Sequence, residues 1–218
     1  MKLTGIGALL LLVFSCTPVY RVQVNGYADP DLAGRIRPDA RICVLENEKA
    51  ENPLLDKEIK AKIQAVLQHR GFVLSSRDAA DLFCRFHYGL GTGLTQIGSV
   101  PVQSPPVTTS VVVSNQGGAV QTTAILTPGP TSYIPYARTF YDRWLHIAIL
   151  DGESLREGKA DRVLWYGDIV SSGESRDLRT VVNYMLVEAF EILGKDTRKG
   201  ILKEIREDDG RLKILTRE

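Results

Sequence analysis

The sequence predicts an α+β domain, a mixed β-sheet with two helices packed on one face and an uncharged β-hairpin or loop insertion. Three observations carry this expectation. Residues 55–67 and 178–193 repeat apolar side chains at helical spacing. Short alternating or apolar runs precede and separate these two stretches, as strands do. Between positions 86 and 137 there is no Asp, Glu, Lys or Arg, in a segment rich in Gly, Ser, Thr, Val and Pro.

Taken in order, residues 20–26 alternate apolar and polar and end at Gly26, which reads as a half-buried strand closed by a turn. Asp29-Pro30-Asp31 opens a loop. Residues 41–46 form a short apolar strand. Asn52 and Pro53 supply an N-cap and an N1 proline. The helix they start carries Leu55, Ile59, Ile63, Val66 and Leu67 on one side and Lys57, Glu58, Lys60, Lys62 and Gln64 on the other. His69 and Arg70 fall in its last turn, where cations suit the dipole, and Gly71 is a natural terminator. Phe72-Val73-Leu74 is extended, and residues 81–89 form a strand with Leu82, Cys84, Phe86 and Tyr88 on one face.

Inside the uncharged segment, residues 107–114 and 119–127 flank the turn-like Asn115-Gln116-Gly117-Gly118. A four-residue loop places Val113 opposite Val120, Val111 opposite Thr122 and Val107 opposite Leu126, which makes a two-faced hairpin. Residues 140–150 and 162–170 are two further strands, with a turn at Asp151-Gly152. Ser175 then caps a second helix with Asp177 in its first turn. Its buried stripe is Leu178, Val181, Val182, Met185, Ala189 and Leu193, and Gly194 ends it. In the charged extension 195–218, Ile201, Leu202 and Ile205 suggest one amphipathic helical turn, and Leu212 and Ile214 a short edge strand. The element order is β, β, α, β, β, hairpin, β, β, α, within one domain spanning 16–194.

The chain opens with one cation, Lys2, and an apolar run over 5–14 that is far shorter than the roughly 20 residues a membrane helix needs. The run ends in Val13-Phe14-Ser15-Cys16. This resembles the lipobox of bacterial lipoproteins, which implies removal of residues 1–15 and acylation of Cys16. Thr17 follows Cys16, and the absence of Asp there implies the outer membrane by the same resemblance. The chain has 27 basic and 26 acidic side chains, and removing residues 1–15 takes away only Lys2. Net charge is then zero with His neutral, which argues against a nucleic-acid partner.

Cys43 and Cys84 are the remaining cysteines. Two readings stay open for them: a disulfide, which an oxidising envelope permits, and free thiols in the core.

No catalytic set emerges. His69, His87 and His146 have no second ligand at metal spacing, and no Cys-x-x-Cys occurs, so no metal or cofactor is expected. Gly89, Gly91 and Gly93 lack the following helix that a dinucleotide site needs and read as a flexible strand exit. Gly152-Glu153-Ser154 and Gly173-Glu174-Ser175 do not complete a nucleophile elbow. Asp78 and Asp81 are explained by a turn and a strand start, and Trp144 and Trp165 by core packing. Tyr133 and Tyr136, in the uncharged segment, are the candidate contact residues.

The ordered motifs resemble the bacterial lipoprotein family catalogued as the domain of unknown function number 4136. They are Cys16, Asn52-Pro53-Leu54-Leu55-Asp56, Arg70-Gly71-Phe72, Ala80-Asp81-Leu82, the glycines from Gly89 to Gly93, the aliphatic strand ending at Asp151, and Trp165-Tyr166-Gly167. The resemblance covers roughly residues 16–194 and implies a lipid-anchored envelope domain without an assigned activity. The expected role is therefore non-catalytic, with binding to an envelope protein partner. The alternative is an oligomeric pore or secretion element that inserts the uncharged hairpin into a membrane, and an envelope hydrolase is the third reading.

Overall fold

The computed structural model describes residues 17–47, 50–114 and 120–216. Cys16 and the Asn115-Gln116-Gly117-Gly118 turn lie outside these residues. The fold is α+β, built on a mixed sheet. The chain divides into two compact units, one running to Gly91 and resuming at Asp142, the other comprising Thr92–Tyr141.

In the first unit the strand order is β10-β1-β9-β8-β4-β2-β3. The strands are β1 (Val19–Ala28), β2 (Arg41–Val44), β3 (Val73–Leu74), β4 (Leu82–Leu90), β8 (Thr131–Asp151, of which 142–151 belong here), β9 (Val163–Gly173) and β10 (Ile201–Arg206). β2 runs parallel to β3 and β4, whereas β4–β8, β1–β9 and β1–β10 are antiparallel. Helices α1 (Pro53–His69) and α3 (Leu178–Glu191) cover one face. Their Ile59, Ile63, Leu67, Val182 and Met185 meet Val22, Val24, Ile42, Leu82, Phe86, Leu145, Ile147, Trp165 and Ile169 in one core. The period-2 alternation of these strand residues puts them on a single side of the sheet.

α1 starts as the sequence predicts, with the Asn52 side chain accepting from the Leu55 amide at 3.1 Å and Pro53 in the first turn. Gly71 follows with φ +91°, a conformation that favours glycine. At α3 the cap differs from expectation. Asp177, not Ser175, is the N-cap, accepting from Thr180 N at 3.1 Å. Ser175 sits two residues earlier, and its hydroxyl accepts from Asp177 N.

Further expectations are corrected. Gly26 does not end β1 but lies within it. A Cβ there would meet the Lys195 carbonyl at 2.5 Å and the Trp165 Nε1 at 3.2 Å, so glycine permits a close approach in mid-strand. Asp151-Gly152 is not a turn but the start of a third short helix, α2 (Gly152–Arg156), capped by Asp151. Its Leu155 packs with Phe83 and Leu150 on the sheet face away from α1 and α3, which share one face as the sequence predicts.

In the tail, Ile201, Leu202 and Ile205 form no helical turn. They belong to β10, whose Ile201 and Ile205 pair with Val24 and Tyr20. Leu212 and Ile214 form no strand but sit in a 3-10 helix, Gly210–Ile214. α3 is buried nearly all round, at Tyr184, Leu186, Val187 and Phe190 as well as along the expected stripe. Leu212 and Leu215 join the core with it. The free edge of β1 and the outer side of α3 select these conformations over the local helical and strand patterns.

The second unit is built of two antiparallel ribbons. β5 (Leu94–Gln103) pairs with residues 131–140 of β8, from Leu94↔Phe140 to Gln103↔Thr131. β6 (Val107–Ser114) pairs with β7 (Val120–Thr127). The predicted hairpin is therefore present, but its register differs. Val107 lies opposite Thr127, Val111 opposite Thr123 and Val113 opposite Gln121. The last pair is Ser114↔Val120, one position beyond what a four-residue loop gives. A shift of one residue changes every cross-strand partner, so none of the three predicted pairs forms.

Candidate functional site

Among the described residues, the β5/β8 ribbon exposes the large apolar side chains Leu94, Ile97, Val100, Val102, Tyr133, Ile134 and Tyr136. Alternation along each strand and the observed register define its two faces. One carries the pairs Leu94/Phe140, Gln96/Arg138, Gly98/Tyr136, Val100/Ile134 and Val102/Ser132. The other carries Thr95/Thr139, Ile97/Ala137, Ser99/Pro135, Pro101/Tyr133 and Gln103/Thr131. The first is dominated by large apolar side chains. The second is mostly Thr, Ser, Gln and Pro, with a Thr95–Thr139 hydroxyl contact of 2.9 Å. Leu94, Val100, Val102, Ile134 and Tyr136 are all exposed on the apolar face. In solution, isolated apolar side chains are common on surfaces, and several along one ribbon face make this face the candidate contact site.

The structure separates the two candidate tyrosines. Tyr133 is 68% exposed and Tyr136 43% exposed, and they lie on opposite faces. Both are on strand β8 rather than in a loop. Tyr136 stacks over its cross-strand partner Gly98, where a Cβ would meet the ring at 2.6 Å. The Arg138 guanidinium lies 5.6 Å from the Tyr136 ring centre, in cation–π range. The sequence reading missed Leu94, Val100, Val102 and Ile134. Their signal is a period of two in both arms, with partners that become visible only once the arms are paired.

A second cluster lies in the first unit, on the sheet face opposite α1 and α3. Tyr27 and Tyr166 are cross-strand partners, and their rings are 6.4 Å apart. Tyr166 is 5.7 Å from His146, which stacks on Trp144 at 4.8 Å. His146 Nε2 is 3.3 Å from Asp168 Oδ1. Trp144 is half-exposed here instead of buried with Trp165, whose indole N–H donates to the Lys195 carbonyl at 3.1 Å. Cross-strand ring pairs of this kind stabilise a solvated sheet face. His87 is paired with His146 in register, and His69 closes α1. Among the described residues, no group of three His, Cys, Asp or Glu side chains is placed to hold a metal.

The two cysteines are free. Cys43 pairs with Phe83, and Cys84 with Val44, across the parallel β2–β4 ladder. They are thus one register step apart and project to opposite faces. Cys43 packs with Phe83 and Leu150, and Cys84 lies in the main core. The disulfide reading is corrected by this alternation. Burial pushes the Cys84 thiol up to about 12 and raises Cys43 as well, so neither is an activated nucleophile.

Other charged groups hold the scaffold. Asp81 accepts from Arg41 at its amide, Nε and Nη2, and this keeps the Asp81 carboxyl down at about 2. Arg143 is only 2% exposed and donates to the Ser171 carbonyl, the Ser175 carbonyl and the Ser171 hydroxyl. It clamps the loop between β9 and α3. Gly173 fits beside it, since a Cβ would stand 2.7 Å from Arg143 Nη2.

No family model and no curated protein matches the chain. Among solved structures, the chain is similar to a PDZ domain protein from Parabacteroides distasonis, at 13% identity and a TM-score of 0.42. The match covers 86% of this chain and 39% of that one.

Proposed function

We propose that this protein is a non-catalytic, lipid-anchored lipoprotein of the bacterial envelope, with a binding or accessory role carried by its β5/β8 ribbon. The observation that supports this is the ribbon itself, ten paired residues long with an exposed apolar face. A two-stranded ribbon with both edges open is marginal in water, and contact with another surface would stabilise it. The anchor at Cys16 rests on the lipobox resemblance, and so does the placement of the domain on the periplasmic side of the outer membrane. Histidines and carboxylates in scaffold roles, together with unactivated thiols, support a non-catalytic reading.

The pore reading has one specific observation in its favour. Ten residues per arm is the length a tilted spanning strand needs, roughly 9–11. Two features weigh against it. Pro101 and Pro135 lie within the arms and remove backbone donors. Proline in a strand blunts its edge against further pairing, which a closed barrel requires.

The test has two parts. Mass spectrometry of the mature N-terminal peptide should show an acylated Cys16, and an unmodified Cys16 would remove the anchor. In-cell crosslinking with and without residues 95–134 should show adducts that vanish on deletion. Adducts unchanged by deletion would move the working surface elsewhere.

A further inference from the structure

We infer that the β5/β8 ribbon lies in the plane of a lipid surface, with its apolar face turned into the boundary between headgroups and acyl chains. The inference rests on the envelope reading above and names the partner of the same ribbon.

Charge comes first. No Asp, Glu, Lys or Arg occurs over residues 86–137, and the ribbon's one charged side chain, Arg138, pairs with Gln96 near the end of the apolar face, where a long Arg side chain reaches the headgroups. A protein interface does not demand this, because Arg is enriched in interfaces and rims are polar. Lipid does demand it, since a charged side chain among acyl chains costs several kcal/mol. The two-faced pattern comes second. Leu94, Val100, Val102, Ile134 and Phe140 form an aliphatic and aromatic row, while the reverse side sets Thr95, Ser99, Gln103, Thr131 and Thr139 among Ile97, Pro101, Tyr133, Pro135 and Ala137. A surface with one side more apolar than the other suits an interface. Tyr136 stands in the apolar row, and Tyr is favoured at headgroup level.

Orientation follows from the backbone. Crossing the bilayer would bury both open ribbon edges in hydrocarbon, where each unsatisfied N–H and C=O costs several kcal/mol. Lying flat leaves those edges among hydrated headgroups. The in-plane arrangement is therefore the one this ribbon can adopt without closing into a barrel.

The test is vesicle flotation of residues 16–218 carrying Cys16→Ala, so that neither the apolar run over 5–14 nor an acyl anchor contributes. Vesicles of phosphatidylcholine alone, and of phosphatidylcholine with phosphatidylglycerol, should both carry the protein, with little dependence on salt. The pair Val100→Asp and Ile134→Asp should lower the bound fraction at least about tenfold. The milder pair Val100→Thr and Ile134→Thr keeps β-branched side chains and should give a smaller loss in the same direction. Ile97→Asp, on the other face, should leave binding within about twofold, because that side remains in water. Failure of the Cys16→Ala chain to float would overturn the inference, as would equal loss from Ile97→Asp. Release of a trapped dye would also overturn it, by showing strands that span. Because this chain lacks Cys16, the result is independent of the anchor measurement.

Discussion

Cys43 and Cys84 sit on neighbouring strands, yet one register step sends their side chains to opposite faces of the sheet. Their chemistry follows from those surroundings. Cys84 is fully buried with its thiol pushed up to about 12, while Cys43 is half-buried. In the Cys16→Ala chain, a thiol reagent at neutral pH should therefore titrate Cys43 first. Cys84 should respond only after denaturant is added, giving two thiols without any reductant. Denatured protein that shows no thiol until reduced would establish the disulfide instead. Alternation alone was enough to place Leu82, Cys84 and Phe86 on one face. The pairing of the short run at Cys43 with β4, and the step between the two cysteines, follow from long-range register that local pattern does not carry. At α3, Ser175 and Asp177 are both good caps by type. In the fold Arg143 holds the Ser175 carbonyl and Asp177 takes the cap position.

The elements most visible in the sequence are those with strong periodicity and end signals. α1 has its Asn52 cap, its Pro53 and its Gly71, and it appears where they place it. The tail has no such signals. Its apolar residues are sparse, and the vacancies it fills, at the edge of β1 and beside α3, belong to other parts of the chain. β10 is therefore an integral strand. Ile205→Ala and Leu212→Ala should each cost about 2–5 kcal/mol, the range for truncating a buried aliphatic side chain. Urea unfolding of the full chain checks this. Midpoints unchanged from the parent would mean the tail is not part of the cooperative fold. The ribbon shows the same lesson from the other direction. The sequence indicates an uncharged segment and a hairpin at its centre. It does not indicate the longer β5/β8 pairing, because Gly91, Gly93 and the prolines at 101, 105, 106, 128 and 130 read locally as loop.

At the scale of the whole molecule, the two units differ in what holds them together. The first has a continuous core under two helices and charged groups paired on its surface. The second consists of paired strands with exposed apolar side chains and no acidic residue. One unit supplies stability, and the other supplies surface. Contacts made through the apolar face of the ribbon would involve position 134 and not position 97. The most direct measurement is photo-crosslinking in cells from a reactive residue placed at position 134 and, separately, at position 97. The two positions lie on the same ribbon and on opposite faces. Strong adducts from position 134 and few from position 97 are the expected result. Equal yields, or a stronger signal from position 97, would contradict it.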